Sequence, residues 1–213
     1  KHTLVMGAPQ GTIFGPQYWN SYLTPMLKTL RNEAEKMGRE LGLESLQMAL
    51  ADDCKVLVDF GIGAAQTSAA EKLGNHLLGV VDHWAIDGNQ ELAVPKCKFM
   101  ICDPPGIPRH GTFWLAVRGK SLTRVSELEF LGVVFDERLT WSAHVRKVLS
   151  RVAAKEGALI RLAYGYDWVD SASIRMGFLA LISPHLRYGV AAWGTKLQQT
   201  DREKIEGGIP RLA

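Results

Sequence analysis

Residues 46–60 read LQMALADDCKVLVDF. One apolar run leads to the pair Asp52-Asp53, and a second, residues 56–58, leaves it. Two short hydrophobic runs on either side of a tight polar pair predict a β-hairpin. Its turn would carry two adjacent carboxylates, whose hard oxygens suit Mg²⁺ or Mn²⁺ shared with substrate phosphates. Because Asp is also among the commonest turn residues, these residues alone favour a solvated turn.

A block rich in glycine and proline precedes the hairpin. Residues 7–16 read GAPQGTIFGP, and three glycines there allow the backbone to approach a ligand closely. The tandem of this block with the ADD hairpin resembles the reverse transcriptases of retroelements, most of all the non-LTR retrotransposon branch. The resemblance continues through residues 84–102 (WAIDGNQELAVPKCKFMIC), 130–141 (FLGVVFDERLTW) and 184–193 (PHLRYGVAAW).

The resemblance implies an α+β fold in three parts. Residues 1–118 would form a partial right-hand polymerase palm, residues 119–138 a primer-grip hairpin, and residues 139–213 a helical thumb. It also implies RNA-directed DNA polymerase ancestry, that is, a nucleotidyltransferase whose partner is RNA or an RNA–DNA hybrid and whose ions are Mg²⁺ or Mn²⁺.

The family's motifs also imply a set of site residues. Asp52 and Asp53 match the catalytic and metal-binding acids of the hairpin, and Lys96 matches a lysine that protonates the leaving pyrophosphate. The residues that match nucleotide, template and primer contacts are Gln10, Gly11, Phe130 and Gly132. His144 matches a recurrent histidine of the non-LTR branch, for which we expect a capping or packing role.

The chain departs from the family at two points. A second essential carboxylate belongs to an upstream strand motif in the family, and no segment here matches that motif or the fingers. Leu50 stands where the family places Tyr or Phe before the ADD triplet. Because Mg²⁺ demands near-ideal octahedral geometry, Asp52 and Asp53 without the third acid make a poor site. Polymerase activity by this chain alone is therefore not expected.

Three functions remain open from the sequence. In the first, the chain is part of an active polymerase whose fingers and first acid lie upstream or on a partner chain. Alternatively it is a non-catalytic RNA-binding or scaffolding subunit of a larger ribonucleoprotein or organellar assembly. A third interpretation, a metal-dependent phosphatase that uses Asp52 and Asp53, has no further support in the sequence.

Composition narrows the setting. The chain has 213 residues with 46% hydrophobic residues, and no apolar run reaches the roughly 18 residues of a membrane span. Three cysteines without CxxC spacing indicate a reducing compartment and no disulfide framework. No His pairs with a Cys at zinc spacing, so structural zinc is not expected. The expected location is intracellular, in the nucleus or an organelle. Position 1 is not Met, so we expect a processed or partial chain.

Charge is distributed unevenly. Residues 1–95 carry a net charge of −4 and residues 96–213 a net charge of +7. On the predicted helix 142–164, a row of cations spaced four residues apart could follow phosphates along a groove. The row consists of Lys147, Arg151 and Lys155. A solvated basic face is the alternative.

Periodicity predicts the remaining elements. Apolar spacing predicts helices from about Thr12 to Gly38 with a kink at Pro25, and over residues 64–84, 142–164 and 172–193, the last interrupted at Ser183-Pro184. Strands are predicted over residues 98–102, 113–117 and 128–135. Tyr188 and Trp193 are predicted core anchors, and Ile160 is predicted to belong to the core stripe of its helix.

Overall fold

The hairpin predicted around residues 46–60 is present in the computed structural model, which describes residues 13–50, 53–61, 63–103, 113–165 and 169–208. Strand β1 (Glu44–Leu50) pairs antiparallel with β2 (Asp53–Asp59). The register runs from the pair Glu44 and Asp59 to the pair Leu50 and Asp53. Only residues 51 and 52 separate the strands, and both lie outside the described residues.

The chain divides into two compact units. The first contains Lys1–Phe99 and Pro108–Thr123, and the second contains Met100–Ile107 and Arg124–Ala213. The helices from Ser142 onward belong to the second unit, together with the hairpin of residues 127–136. The assignment of palm, primer grip and thumb stays a prediction.

Two long helices form the core of the first unit. Helix α1 (Gly15–Leu41) runs without a break through Pro25 and ends at Gly42, whose left-handed backbone is the usual helix stop. Helix α2 covers Ala64–Asp87, as predicted. Their contact is a cluster of buried side chains, namely Leu23, Met26, Leu30, Ala34, Leu73 and Leu77.

The β1–β2 hairpin has one packed face and one open face. Cys54 and Val58 pack against the core that α1 and α2 share. Since residues alternate between faces along a strand, the paired residues Leu46 and Leu57 lie on the opposite face, where both are more than half exposed. Met48 is exposed on that face as well. The described part of the first unit therefore leaves an apolar sheet surface uncovered.

Short segments complete the first unit. A 3₁₀ turn (Val94–Lys96) precedes β3 (Lys98–Phe99), which pairs with β6 (Thr123–Arg124) where the chain leaves this unit. Strand β4 (Ala116–Val117) pairs with β5 (Lys120–Ser121).

The strand predicted over residues 113–117 is shorter than expected because side chains of α2 take its hydrogen bonds. Asn75 donates to the carbonyl of Trp114 and accepts from the amide of Ala116, each at about 3 Å. Glu71 accepts from the amide of Trp114 at 3.1 Å. The strand predicted over residues 98–102 is likewise limited to its first two residues.

The turn between β4 and β5 is held from α2 as well. Arg118 and Gly119 both have positive φ, at 51° and 73°. The guanidinium of Arg118 contacts both carboxylate oxygens of the buried Asp82 at 2.9 Å. This ion pair compensates for the left-handed backbone that a residue with a Cβ adopts at a cost.

In the second unit, the strand predicted over residues 128–135 is wrong as a single element. Strand β7 (Glu127–Phe130) pairs antiparallel with β8 (Val133–Asp136). Leu131 and Gly132 between them have φ of 49° and 81°. Two consecutive positive φ angles are the requirement of the tight type I′ hairpin turn, so the run reverses at its centre.

The remaining helices follow the hairpin in sequence. They are α3 (Ser142–Gly165), α4 (Ser171–Leu181), α5 (Ser183–Arg187), α6 (Val190–Trp193), a 3₁₀ turn (Gly194–Lys196) and α7 (Gln199–Gly208). The predicted helix over residues 172–193 breaks both at Ile182 and at Gly189, whose φ is 63°. Helices α3 and α4 share a core of Val148, Val152, Leu159 and Ile182.

Two core predictions for the second unit are wrong. Trp193 is buried as expected, but Tyr188 is 56% exposed because its ring lies on the surface of the β7–β8 turn. Ile160 is 40% exposed, since α4 covers α3 on the side of Leu159.

In the described part of the chain, no helix has the length and apolar character that crossing a bilayer requires.

The packing analysis makes a prediction for the first unit. Leu30→Ala removes a fully buried side chain and should lower the free energy of unfolding by about 3 kcal/mol, through lost transfer energy and a cavity. Leu46→Ala on the open hairpin face is the matched control and should change it by less than about 1 kcal/mol. Urea unfolding followed by circular dichroism measures both, and an equal loss in the two variants would contradict the two-faced hairpin.

Candidate functional site

Asp53 is the described member of the acidic pair. It is the first residue of β2, lies opposite Leu50 and is exposed on the open face of the hairpin. Asp52, Gln10 and Gly11 lie outside the described residues. Within the described ranges, no cluster of three or more His, Cys, Asp or Glu side chains could hold a metal ion. The Mg²⁺ or Mn²⁺ that the resemblance implies therefore stays a prediction.

Lys96 lies exposed in the 3₁₀ turn, next to Cys97. Burial raises the pKa of both the Cys54 and Cys97 thiols, and the positive charge of Lys55 opposes the rise at each. The turn that carries Lys96 and the strand that begins with Asp53 belong to the same unit.

Aromatic contacts hold this neighbourhood together. The ring of Phe113 stacks on Phe60, directly after β2, with centroids 6.1 Å apart. It also contacts Phe99 in β3, with centroids 5.6 Å apart. Because the three rings connect the end of β2 to the strand that follows Lys96, the position of the turn relative to the hairpin is determined by packing.

The β7–β8 hairpin is attached to α3 by ion pairs in register. Arg146 contacts Glu127 at 2.8 Å, and Lys147 contacts Glu129. The hydrogen bond from Lys147 lowers the pKa of the Glu129 carboxyl, and the charge of Arg151 lowers it further. The two ion pairs therefore hold the hairpin alongside α3.

The predicted basic row thus divides into two kinds of residue. Lys147 is largely buried and is bound to Glu129. Arg151 and Lys155 are exposed, and neither forms an ion pair with a described carboxylate. Of the three, the latter two have charges available to an external anion.

Asp136 shapes the connection between β8 and α3. Its carboxylate accepts hydrogen bonds from the backbone amides of Arg138, Thr140 and Trp141 at 2.7–3.1 Å. These bonds stabilise a tight loop in which Leu139 and Trp141 have positive φ. Because these hydrogen bonds occupy the carboxylate of Asp136, that carboxylate is not available as a ligand for a metal ion.

The tip of the β7–β8 hairpin contacts Tyr188. The Tyr188 hydroxyl donates to the carbonyl oxygen of Leu131 at 2.6 Å. A Cβ at Gly132 would lie 3.3 Å from the Tyr188 ring, and one at Gly189 would lie 3.0 Å from Val133. Both glycines are therefore required for this close approach, and both also have positive φ. Phe130 is half-buried, whereas Leu131 exposes its side chain at the tip.

His144 is buried behind the same hairpin. Its Nδ1 accepts a hydrogen bond from the amide of Val134 at 3.2 Å, so the neutral ring carries its proton on Nε2. The ring packs edge-on against Trp193 with centroids 5.2 Å apart, and Trp193 donates from Nε1 to the carbonyl of Tyr188. The packing role predicted for His144 is present, and one connected network holds the hairpin at mid-strand and at its tip.

The resemblance implies primer contacts for Phe130 and Gly132, which stay predictions, and the sequence does not predict the contact between Tyr188 and Leu131. The aromatic character of Tyr188 instead predicts a core position. The signal that could have found the contact is the Tyr-Gly dipeptide at residues 188 and 189. A glycine directly after an aromatic residue permits a turn that presents the ring to another backbone.

Comparison with known proteins finds similarity to proteins of retrotransposable elements. It is 25% identical over 207 residues, 97% of this chain, to the putative 115 kDa protein in type-1 retrotransposable element R1DM of Drosophila melanogaster. It is 27% identical over 200 residues, 88% of this chain, to the RNA-directed DNA polymerase from mobile element jockey of Drosophila funebris. A third relative, 23% identical over 194 residues and 88% of this chain, is the retrovirus-related Pol polyprotein from type-1 retrotransposable element R1 of Bradysia coprophila.

The matches cover only a small part of each relative. The chain spans 17–19% of their lengths. No family model matches the chain, and no solved structure matches it significantly. The chain is therefore similar to a short portion of proteins from retrotransposable and mobile elements, one of which is named as an RNA-directed DNA polymerase.

The burial of His144 predicts how stability depends on pH. Burial is the main cause that lowers its pKa, and the charges of Lys147 and Arg151 add to the shift against the opposing charge of Glu129. The unfolded chain therefore binds the proton more tightly. The stabilisation is complete above the ordinary histidine pKa of about 6.5 and is lost as pH falls below it, by at most about 1.4 kcal/mol per pH unit.

Urea unfolding at pH 7.5 and pH 5.5 tests this dependence. The loss of stability on acidification should be smaller in His144→Gln than in the natural chain. His83→Gln, which removes an exposed histidine, is the control and should leave the loss unchanged. The same pH dependence in all three proteins would show that His144 does not titrate as its burial requires.

Proposed function

We propose that this chain is the palm and thumb portion of an RNA-directed DNA polymerase of a non-LTR retrotransposon. In this proposal it binds RNA or an RNA–DNA hybrid and requires a further segment for catalysis. The observation that carries the proposal is the register of the β1–β2 hairpin. It brings Asp53, the last residue of the ADD sequence, to the end of two paired strands, in a chain whose relatives include an RNA-directed DNA polymerase.

The open face of the hairpin supports the need for a further segment. Two-stranded hairpins are marginal in water unless a third strand or a helix covers them. Here α1 and α2 cover one face, while Leu46, Met48 and Leu57 are exposed on the face that carries Asp53. A segment that covers this apolar surface and brings a carboxylate next to Asp53 would complete the acidic set that Mg²⁺ or Mn²⁺ requires.

The proposed nucleic-acid contacts lie in the second unit. Arg151 and Lys155 would contact backbone phosphates, because their side chains are exposed and without an ion pair among the described residues. The tip at Leu131 and Gly132 would contact the primer end. Lys147 is assigned instead to holding Glu129 of the hairpin, which revises the row of three cations expected from spacing.

The first prediction from this proposal concerns activity. Residues 1–213 alone should show no measurable DNA synthesis on a primed RNA template with Mg²⁺ or Mn²⁺, because a carboxylate ligand is missing. Synthesis should appear when an upstream polymerase segment that carries the family's first catalytic acid is added. Asp52→Ala should then abolish it, since charge stabilisation is usually the largest catalytic contribution.

Asp59→Asn is the matched control for that experiment. Asp59 is an exposed carboxylate of the same hairpin, at the end opposite to Asp53. Its replacement should leave synthesis in the complemented reaction within about twofold, as expected for a surface substitution away from the site. Synthesis by the isolated chain that is lost in Asp52→Ala would contradict the missing-ligand argument.

The second prediction concerns salt dependence. Replacing Arg151 and Lys155 together by Gln should weaken binding to an RNA–DNA hybrid and reduce the slope of log K against log salt by about 2, one for each phosphate contact. Fluorescence anisotropy at several salt concentrations measures both quantities. Arg161→Gln combined with Arg175→Gln removes the same charge from other exposed positions of the second unit and should change the slope by less than about half as much.

These assays also separate the non-catalytic alternative. A subunit that only binds or scaffolds RNA would retain the salt-dependent binding through Arg151 and Lys155. It would show no synthesis even when the upstream segment is present. Binding that is insensitive to these two residues would count against both functions and return α3 to a solvated basic face.

A further inference from the structure

The contact between Tyr188 and the β7–β8 tip is unusual for a surface tyrosine. Tyr188 is 56% exposed, yet its hydroxyl donates to the Leu131 carbonyl at 2.6 Å, and its own carbonyl accepts from Trp193 at 3.0 Å. Trp193 is 2% exposed and packs against His144. The tyrosine is therefore anchored from behind by a buried residue, while its hydroxyl reaches the hairpin tip.

The tip itself is in a conformation that its sequence disfavours. A type I′ turn prefers Asn or Gly at its first central position, and leucine is a poor choice there. Leu131 nevertheless has φ of 49° and exposes 41% of its surface. A non-glycine residue keeps such a backbone only where the surroundings hold it, and such positions cluster at functional sites.

The neighbours of the tip indicate what it would face. The ion pairs of Glu127 with Arg146 and of Glu129 with Lys147 place the hairpin alongside α3. The next cation of the row, Arg151, acts electrostatically on Glu129 and has no ion pair with a described carboxylate. An exposed apolar tip on a hairpin that is ion-paired to α3, the helix that carries the exposed Arg151, matches a nucleic-acid end, which offers an unstacked base next to a phosphate.

We infer that Tyr188 is a positioning residue, which holds the β7–β8 tip so that Leu131 contacts the end of a bound RNA–DNA hybrid. This inference rests on the proposed function, since it assumes that the second unit binds the hybrid. It assigns different roles to different residues of that unit. Arg151 and Lys155 bind the backbone of any duplex, whereas Leu131, held by Tyr188, discriminates a duplex end from a continuous duplex.

The experiment compares two hybrids of equal length, using the full chain. One has a recessed DNA 3′ end, and the other is closed by loops at both ends. The natural chain should prefer the recessed end. Tyr188→Phe removes only the hydroxyl and keeps the ring on Gly132, so it should reduce that preference about fivefold, the factor that a hydrogen bond of ordinary net strength is worth. Affinity for the closed hybrid should not change.

A second measurement tests the position of the tip without nucleic acid. In Tyr188→Phe the amides of residues 130–133 should exchange with deuterium about fivefold faster, again the value of one hydrogen bond. Tyr164→Phe is the matched control, because Tyr164 is an 89% exposed tyrosine at the end of α3, and it should change neither measurement. Leu131→Gly keeps the left-handed turn without strain and should lose the end preference.

The outcomes separate this inference from the proposed function. Salt-dependent binding with an end preference that survives Tyr188→Phe or Leu131→Gly would overturn the inference and leave the function standing. Binding without any end preference in the natural chain would do the same. A natural chain that binds neither hybrid would overturn both.

Discussion

The two-residue period of the β1–β2 hairpin is the constraint on which the first unit depends. The register pairs Leu50 with Asp53, which directs Cys54 and Val58 into the core of α1 and α2. A shift by one residue would exchange the two faces and bury the carboxylate in place of the valine. The position of Asp53 at an open surface is thus a consequence of apolar packing on the other side of the same strands.

Close approach at two glycines plays the corresponding part in the second unit. Gly132 admits the ring of Tyr188, and Gly189 admits Val133, so the chain that follows α5 lies directly on the hairpin. The turn between β4 and β5 is also held by a residue far away in the sequence, because Arg118, in a left-handed conformation, is bound to Asp82. In both turns a distant side chain compensates for local strain, and the turn becomes a rigid surface feature.

The sequence predicted what depends on local periodicity. The β1–β2 hairpin and helices α1, α2 and α3 follow from apolar spacing within single segments. It failed where a partner far away in the chain decides: residues 114 and 116 bond to Asn75, and Lys147 is bound to Glu129. Which of the cations on α3 is bound within its own unit, and which are exposed, therefore could not be predicted from the sequence.

The open hairpin face and the bound hairpin tip lead to different expectations about order. Leu46, Met48 and Leu57 are exposed together on the open face, and a contiguous exposed apolar patch often marks a surface that another segment covers. The β7–β8 tip is instead held by hydrogen bonds and ion pairs within its own unit. Under the proposed function, binding at the tip would therefore lose little conformational freedom, whereas completing the acidic site would require a covering segment to become ordered on the hairpin. On this physical ground, the proposed nucleic-acid binding would not depend on the proposed catalysis.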